Sequence, residues 1–177
     1  MPIANNQLEM VNDPVSERYW VRVSKSEHTF SAGHFITFNG DTCERLHGHN
    51  YRVAVEVHGP LDENQYVVDF IALRDELAAI VLALDHHMLL PTAHPLIQVA
   101  ADDVRVEVTF EDRRWEFPRC DCVLLPIANT TSELLARHIG LELLDALERK
   151  VGTRPDLIRV EVDECDGQAA CCELGDE

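Results

Sequence analysis

Apolar and polar residues alternate most sharply in Y-R-V-A-V-E-V-H-G. There Val53, Val55 and Val57 interleave with Arg52, Ala54, Glu56 and His58, predicting a strand with one apolar and one largely polar face. Gly59-Pro60 ends it. Upstream, Tyr19 to His34 shows a mixed alternation (Trp20, Val21, Val23, Phe30) that predicts a strand with an irregularity. After V-V-D-F, the run F-I-A-L-R-D-E-L-A-A-I-V-L-A-L predicts a helix with Asp69 as N-cap, closing at Asp85. A second helix opens at Asn129-Thr130-Thr131-Ser132-Glu133, carries the stripe Leu135, Ile139, Leu143 and Ala146, and stops near Gly152 and Pro155. L-I-R-V-E-V-D-E reads as another alternating strand. Between the helices lies a block, residues 91–127. In it V-R-V-E-V-T-F and C-D-C-V-L-L-P are expected to pair as a hairpin around Glu111 to Arg114. Residues 1–17 read as a polar leader, and the Cys-, Gly-, Ala- and acid-rich tail after Glu164 carries no assignment.

Strands joined by short links favour antiparallel pairing with the helices on one face, an α+β arrangement in a single domain over 1–177. Unpaired edges of such a sheet invite completion by other subunits. The chain has 177 residues and is 46% hydrophobic, enough for a real core. No apolar run approaches the ~20 residues that span a bilayer, and the N-terminus lacks the marks of a secretion signal. The expected location is therefore the cytoplasm. In that reducing compartment the six cysteines are expected as thiols or ligands. With 32 acidic against 15 basic residues and a net charge of -17, the chain argues against a nucleic-acid partner. An anionic ligand would need local arginines, for which Arg22, Arg45 and Arg52 are candidates.

Candidate chemistry gathers at C-E-R-L-H-G-H-N-Y, residues 43–51, with His34 upstream in F-S-A-G-H-F. On a strand His47 and His49 share a face, and a neighbouring strand can supply His34 as third ligand. Three imidazoles leave one position of a tetrahedral zinc ion open, the arrangement of a catalytic site. Cys43 then reads either as a thiol of lowered pKa beside the metal or as the fourth ligand of a closed structural site. Asp85-His86-His87 offers an acid–imidazole pair, which otherwise reads as a helix cap and a surface histidine. Glu164, at a strand end, suits a carboxylate that accepts two N–H donors of a heterocycle, or is simply solvated. Glu133 fits a capping box with Thr130. Cys120 with Cys122, or Cys171 with Cys172, could bind a second metal, although neither pair has zinc-ribbon spacing.

In order, F-S-A-G-H-F, C-E-R-L-H-G-H-N-Y, V-V-D-F, L-D-H-H, N-T-T-S-E and V-D-E resemble the family of 6-pyruvoyl-tetrahydropterin and 6-carboxy-tetrahydropterin synthases. The resemblance covers roughly residues 27–90 and 129–165. It implies the tunnelling fold (T-fold): an antiparallel four-stranded sheet with two helices on one face, here with an inserted β-hairpin. Subunits of that family join their sheets into a barrel, usually a hexamer of two trimers, with active sites between subunits. It further implies His34, His47 and His49 as zinc ligands, and Cys43, Asp85 and His86 as catalytic groups. Glu164 matches the pterin-anchoring acid, and Glu133 is a second substrate-side candidate. Three residues separate Cys43 from His47, as in the queuosine-pathway carboxy synthases, whereas animal-type pyruvoyl synthases have five. A third branch, which cleaves dihydroneopterin, carries a glutamate near the thiol position, to which Glu44 is a poor match. The implied activity is conversion of 7,8-dihydroneopterin triphosphate to 6-carboxytetrahydropterin. The alternatives are 6-pyruvoyl-tetrahydropterin synthesis and a zinc-stabilised scaffold without catalysis. Two departures from typical members are expected: the 91–127 block in place of a short link, and a missing closing strand.

Overall fold

The computed structural model describes residues 16–152 and 154–175; most of the leader expected over 1–17 lies outside them. The chain runs β1 (Tyr19–His34), β2 (Thr37–Phe38), β3 (Thr42–Cys43), β4 (His47–Gly59), α1 (Phe70–Leu84), β5 (His87–Pro91), β6 (Gln98–Ala101), β7 (Arg105–Phe110) and β8 (Arg113–Pro118). A short 3-10 turn, β9 (Cys122–Leu125), α2 (Ser132–Val151), β10 (Leu157–Cys165) and β11 (Gln168–Gly175) complete it. A six-stranded sheet has the order β11-β10-β4-β1-β5-β9. The expected four antiparallel strands are its first four, and β5 and β9 add to the β1 edge in parallel. The architecture is α+β, as expected.

The strand irregularity lies between Ser24 and Thr29, where the β1–β4 register shifts. Val53, Val55 and Val57 of β4 and Ile158, Val160 and Val162 of β10 are buried. They pack against Leu73, Leu77 and Val81 of α1 and Leu135, Ile139 and Leu143 of α2 in one core. Both helices begin and end close to expectation. Asp69 accepts the Ile71 N–H at 2.8 Å, Asp85 caps α1, and Gly152 caps α2 with φ 73°, a conformation that favours glycine.

Three expectations need correction. The partner of β7 is β8, R-R-W-E-F-P, so the turn falls at Glu111-Asp112 while C-V-L-L joins the main sheet as β9. The tail after Glu164 does form a closing strand: β11 pairs along β10, with Ala170, Cys172 and Leu174 half-buried between exposed neighbours. The capping box at Thr130 and Glu133 does not form. The N-cap is Thr131, and the Thr130 hydroxyl donates to the Phe35 carbonyl at 3.1 Å.

Within the 91–127 block, Gln98 to Pro118 fold as a three-stranded sheet, β6-β7-β8. Val106, Val108 and Phe110 of β7 bury one face of it with Phe35, Cys43, Leu90, Ile97 and Cys122. This second core covers the loop that carries Cys43.

Candidate metal centre and active site

The β1–β4 register sets His34 opposite His47 and Ala32 opposite His49, which puts all three imidazoles on the helix-covered face with Phe30 and Tyr51. Gly48 allows this. A side chain there would meet the Ala32 carbonyl oxygen at 3.0 Å, so the H-G-H spacer is the residue that lets the strands close. The ring centroids of His34, His47 and His49 stand 4.6 to 5.3 Å apart.

Carbonyl groups set the tautomers. His34 Nδ1 lies 3.0 Å from the Thr130 oxygen and His47 Nδ1 lies 2.8 Å from the Arg45 oxygen. A carbonyl only accepts, so each Nδ1 carries a proton and Nε2 is the nitrogen left to ligate. Among the described residues the buried His49 Nε2 has no hydrogen-bond partner. Burial pushes the His34 imidazole below its usual pKa, against the Thr130 carbonyl, which raises it, so the ring is favoured neutral and able to ligate. One atom from each histidine and a Glu164 oxygen lie within 4.8 Å of one another. Glu164 Oε1 is 3.4 Å from Nε2 of both His34 and His49. Three converging imidazoles, with His49 Nε2 unpartnered among the described residues, fit a zinc-type cation. Among the described residues no other group of side chains is arranged to hold one, and the paired cysteines form no such group. Cys43 does not join this group, which disfavours its reading as a fourth ligand.

Tyr51 was not singled out by residue type, yet its hydroxyl lies 3.1 Å from His34 Nε2. Burial first, then Glu164, push its pKa up, so it stays protonated and can donate. Its signal in the sequence is its place two residues after His49, on the same strand face.

Glu133 and Glu164 line one cleft of about 360 Å³ with Ile36, Thr131, Ser132 and Gln168. Cys43 is buried, with its Sγ directed at the Glu44 carbonyl. Burial pushes its thiol up, opposed by the Arg113 guanidinium, whereas the sequence alone led to a lowered value. The Glu44 carboxylate stands 3.8 Å from His47 Nε2.

Asp85 and His86 do pair, Oδ2 to Nδ1 at 2.8 Å. The Ser31 N–H donates to Asp85 Oδ1 at 2.8 Å, and His86, at a positive φ of 57°, gives its own N–H to the Ser31 carbonyl. This irregular helix end is what lets adjacent side chains meet. The Ser31 N–H first, and His86 second, hold the Asp85 carboxyl below its usual range. His86 is 81% exposed, in an open cleft with Gly48, Asn50, Met88 and Asp121. Among the described residues no hydrogen bond ties this pair to Cys43 or to the three imidazoles. Of the candidate arginines, Arg22 pairs with Glu56 and Glu161, Arg52 with Asp166, and Arg45 is exposed. Among the described residues no helix is long and apolar enough to cross a membrane.

Residues 22–174 match the model of the family described as 6-pyruvoyl tetrahydropterin synthase. A Methanocaldococcus jannaschii protein, provisionally named 6-carboxy-5,6,7,8-tetrahydropterin synthase, is 33% identical over 143 residues, 80% of this chain and 87% of its own. A Plasmodium falciparum 6-pyruvoyl tetrahydropterin synthase structure superposes with a TM-score of 0.82 at 28% identity, covering 90% of this chain and 99% of that one. A Plasmodium vivax counterpart, substituted at a glutamate called catalytic, matches with a TM-score of 0.82 at 27% identity, over 90% of this chain and 99% of its own. The fold is the tunnelling fold that the motifs implied. By sequence over most of its length, and by the superposition of sheet and helices alike, the chain belongs to the 6-pyruvoyl tetrahydropterin synthase family.

Proposed function

We propose that the protein is a zinc-dependent 6-carboxy-5,6,7,8-tetrahydropterin synthase, a lyase of queuosine and 7-deazapurine biosynthesis. It would convert 7,8-dihydroneopterin triphosphate to 6-carboxytetrahydropterin, acetaldehyde and triphosphate. The observation that carries this reading is the convergence of three imidazoles beside the Glu133–Glu164 cleft, with a buried cysteine separated from the first motif histidine by three residues. The name of the Methanocaldococcus jannaschii relative supports the carboxy product.

His34, His47 and His49 would hold the zinc ion, with Glu164 free to serve the substrate. A bound zinc supplies Lewis acidity toward the side-chain hydroxyls of the substrate. Glu164 accepts from the pterin ring's N–H groups and fixes its orientation, with Glu133 bordering the same cleft. The Cys43 thiol and the His86 imidazole move protons on and off the substrate side chain. Asp85 orients His86. Because His86 points to solvent in its own chain, we infer that the pair works in a site completed by a second subunit, in a homohexamer built as a dimer of trimers. The unpaired edges of β11 and of the first half of β1 favour such sheet-to-sheet assembly.

A second reading rests on Glu44, whose carboxylate lies beside His47. In the Plasmodium vivax neighbour a glutamate is called catalytic. On that reading Glu44 takes the proton-transfer role of Cys43 and the product is 6-pyruvoyl-tetrahydropterin or a cleaved pterin. Incubating the zinc-loaded protein with dihydroneopterin triphosphate and identifying products by mass decides between them. Acetaldehyde with 6-carboxytetrahydropterin is expected. A pyruvoyl-pterin supports the alternative, and an untouched substrate refutes both.

A further inference from the structure

The 91–127 block has no role in the chemistry above, yet it grips the thiol loop at two points. Arg113, at the start of β8, forks over two consecutive carbonyls: Nη2 donates to Cys43 at 3.0 Å and Nη1 to Glu44 at 3.4 Å. Its guanidinium carbon lies 5.1 Å from the Phe110 ring centre and 5.4 Å from that of Trp115, a cation–π cradle that fixes the fork. Trp115 in turn stacks on Phe35, with ring centres 4.8 Å apart.

The second grip is His94. Its Nδ1 accepts the N–H groups of Leu96 and Ile97, so Nε2 carries the proton and donates to the Thr37 hydroxyl at 2.7 Å. Thr37 is the register partner of Cys43 across the β2–β3 hairpin, so the block holds both strands of that hairpin. The hairpin loop, Asn39-Gly40-Asp41, is three residues long and turns with Asn39 and Gly40 at positive φ. The fork thus lies at the base of a short, stiff loop.

We propose that the block is a support for the thiol loop, and that Arg113 is the positioning residue that holds Cys43 by its carbonyl and faces it with a cation. This rests on the reading of Cys43 as a proton-transferring group. A cation fixed beside a buried thiol offsets part of the cost of forming the thiolate there. Lysine keeps the charge but lacks the planar fork, whereas glutamine keeps a donor and lacks the charge.

The test is the pH dependence of Cys43 alkylation by iodoacetamide. It is read on the Cys43 peptide by mass spectrometry, in the full chain, with the exposed Cys120 as internal reference. In Arg113→Gln the midpoint is expected to rise by about one pH unit, roughly a tenfold slower reaction below the midpoint. In Arg113→Lys it should stay within a few tenths of wild type while kcat falls and KM holds. An unmoved midpoint in Arg113→Gln overturns the proposal. A midpoint that moves as far in Arg113→Lys as in Arg113→Gln also overturns it, because loop disruption alone would then explain both. Alkylation needs no pterin, so a wild type that converts no substrate refutes the proposed function and leaves this measurement decisive for Arg113.

Discussion

Replacing Glu164 by Gln tests the point at which two roles meet in one side chain. Its Oε1 stands 3.4 Å from two ligand-type nitrogens, yet the same residue lines the cleft assigned to the pterin. The substitution keeps size and removes charge. If Glu164 anchors the ring, two charge-assisted hydrogen bonds are replaced, one of them by an amide N–H that opposes a donor. At about 1.5 kcal/mol or more each, that is about 3 kcal/mol in all, or roughly a hundredfold weaker pterin binding. Zinc should remain near one per chain after dialysis, because three imidazoles still hold it. Its affinity should fall by no more than the ~10- to 100-fold typical of losing a carboxylate next to a metal ligand. Elemental analysis reads the zinc, and quenching of pterin fluorescence reads the ligand. Stoichiometric loss of zinc with pterin affinity intact would place Glu164 in the coordination sphere and refute the assignment.

Two further substitutions test the proton-transfer groups. Cys43→Ala should retain zinc and pterin binding and lose roughly 10²- to 10⁴-fold in turnover, and unchanged turnover removes the thiol from the chemistry. Asp85→Asn should keep the Ser31 contact, cost about 1 kcal/mol at neutral pH and lower turnover through His86. The folded pKa of Asp85 is depressed, so its contribution to stability is fully present above the unfolded value near 3.9 and is lost as pH falls through the folded one. Melting temperatures of wild type and variant should therefore converge on acidification below about pH 4; parallel curves down to the lowest pH measured would contradict this.

What was legible in the sequence is what local periodicity encodes. The helices at 70–84 and 132–151 announce themselves by cap residues and stripe, and β4 by its valines, because burial at a fixed period is a property of a short window. The histidine trio was legible for the same reason. Two histidines two apart share a strand face, and only the placement of His34 needed a second strand. Less was legible in the 91–127 block and the tail. Two runs competed to pair with V-R-V-E-V-T-F, and β11 alternates small and polar residues too weakly to stand out.

Tertiary structure decided everything that joins distant segments. Thr130 and Glu133 fit a capping box locally, but the Thr130 hydroxyl is taken by Phe35 on another element, where a buried carbonyl requires a donor. Glu164 reaches the imidazoles only because β10 lies beside β4 in the sheet. Cys43 sits under Arg113 only because a separate small sheet packs on its loop. Residue type and spacing alone determined that this chain carries a histidine trio able to ligate a metal, and a thiol, on an α+β framework. The carboxylate that faces the trio and the cation that holds the thiol loop follow from contacts between segments far apart in the chain, and no local period specifies them.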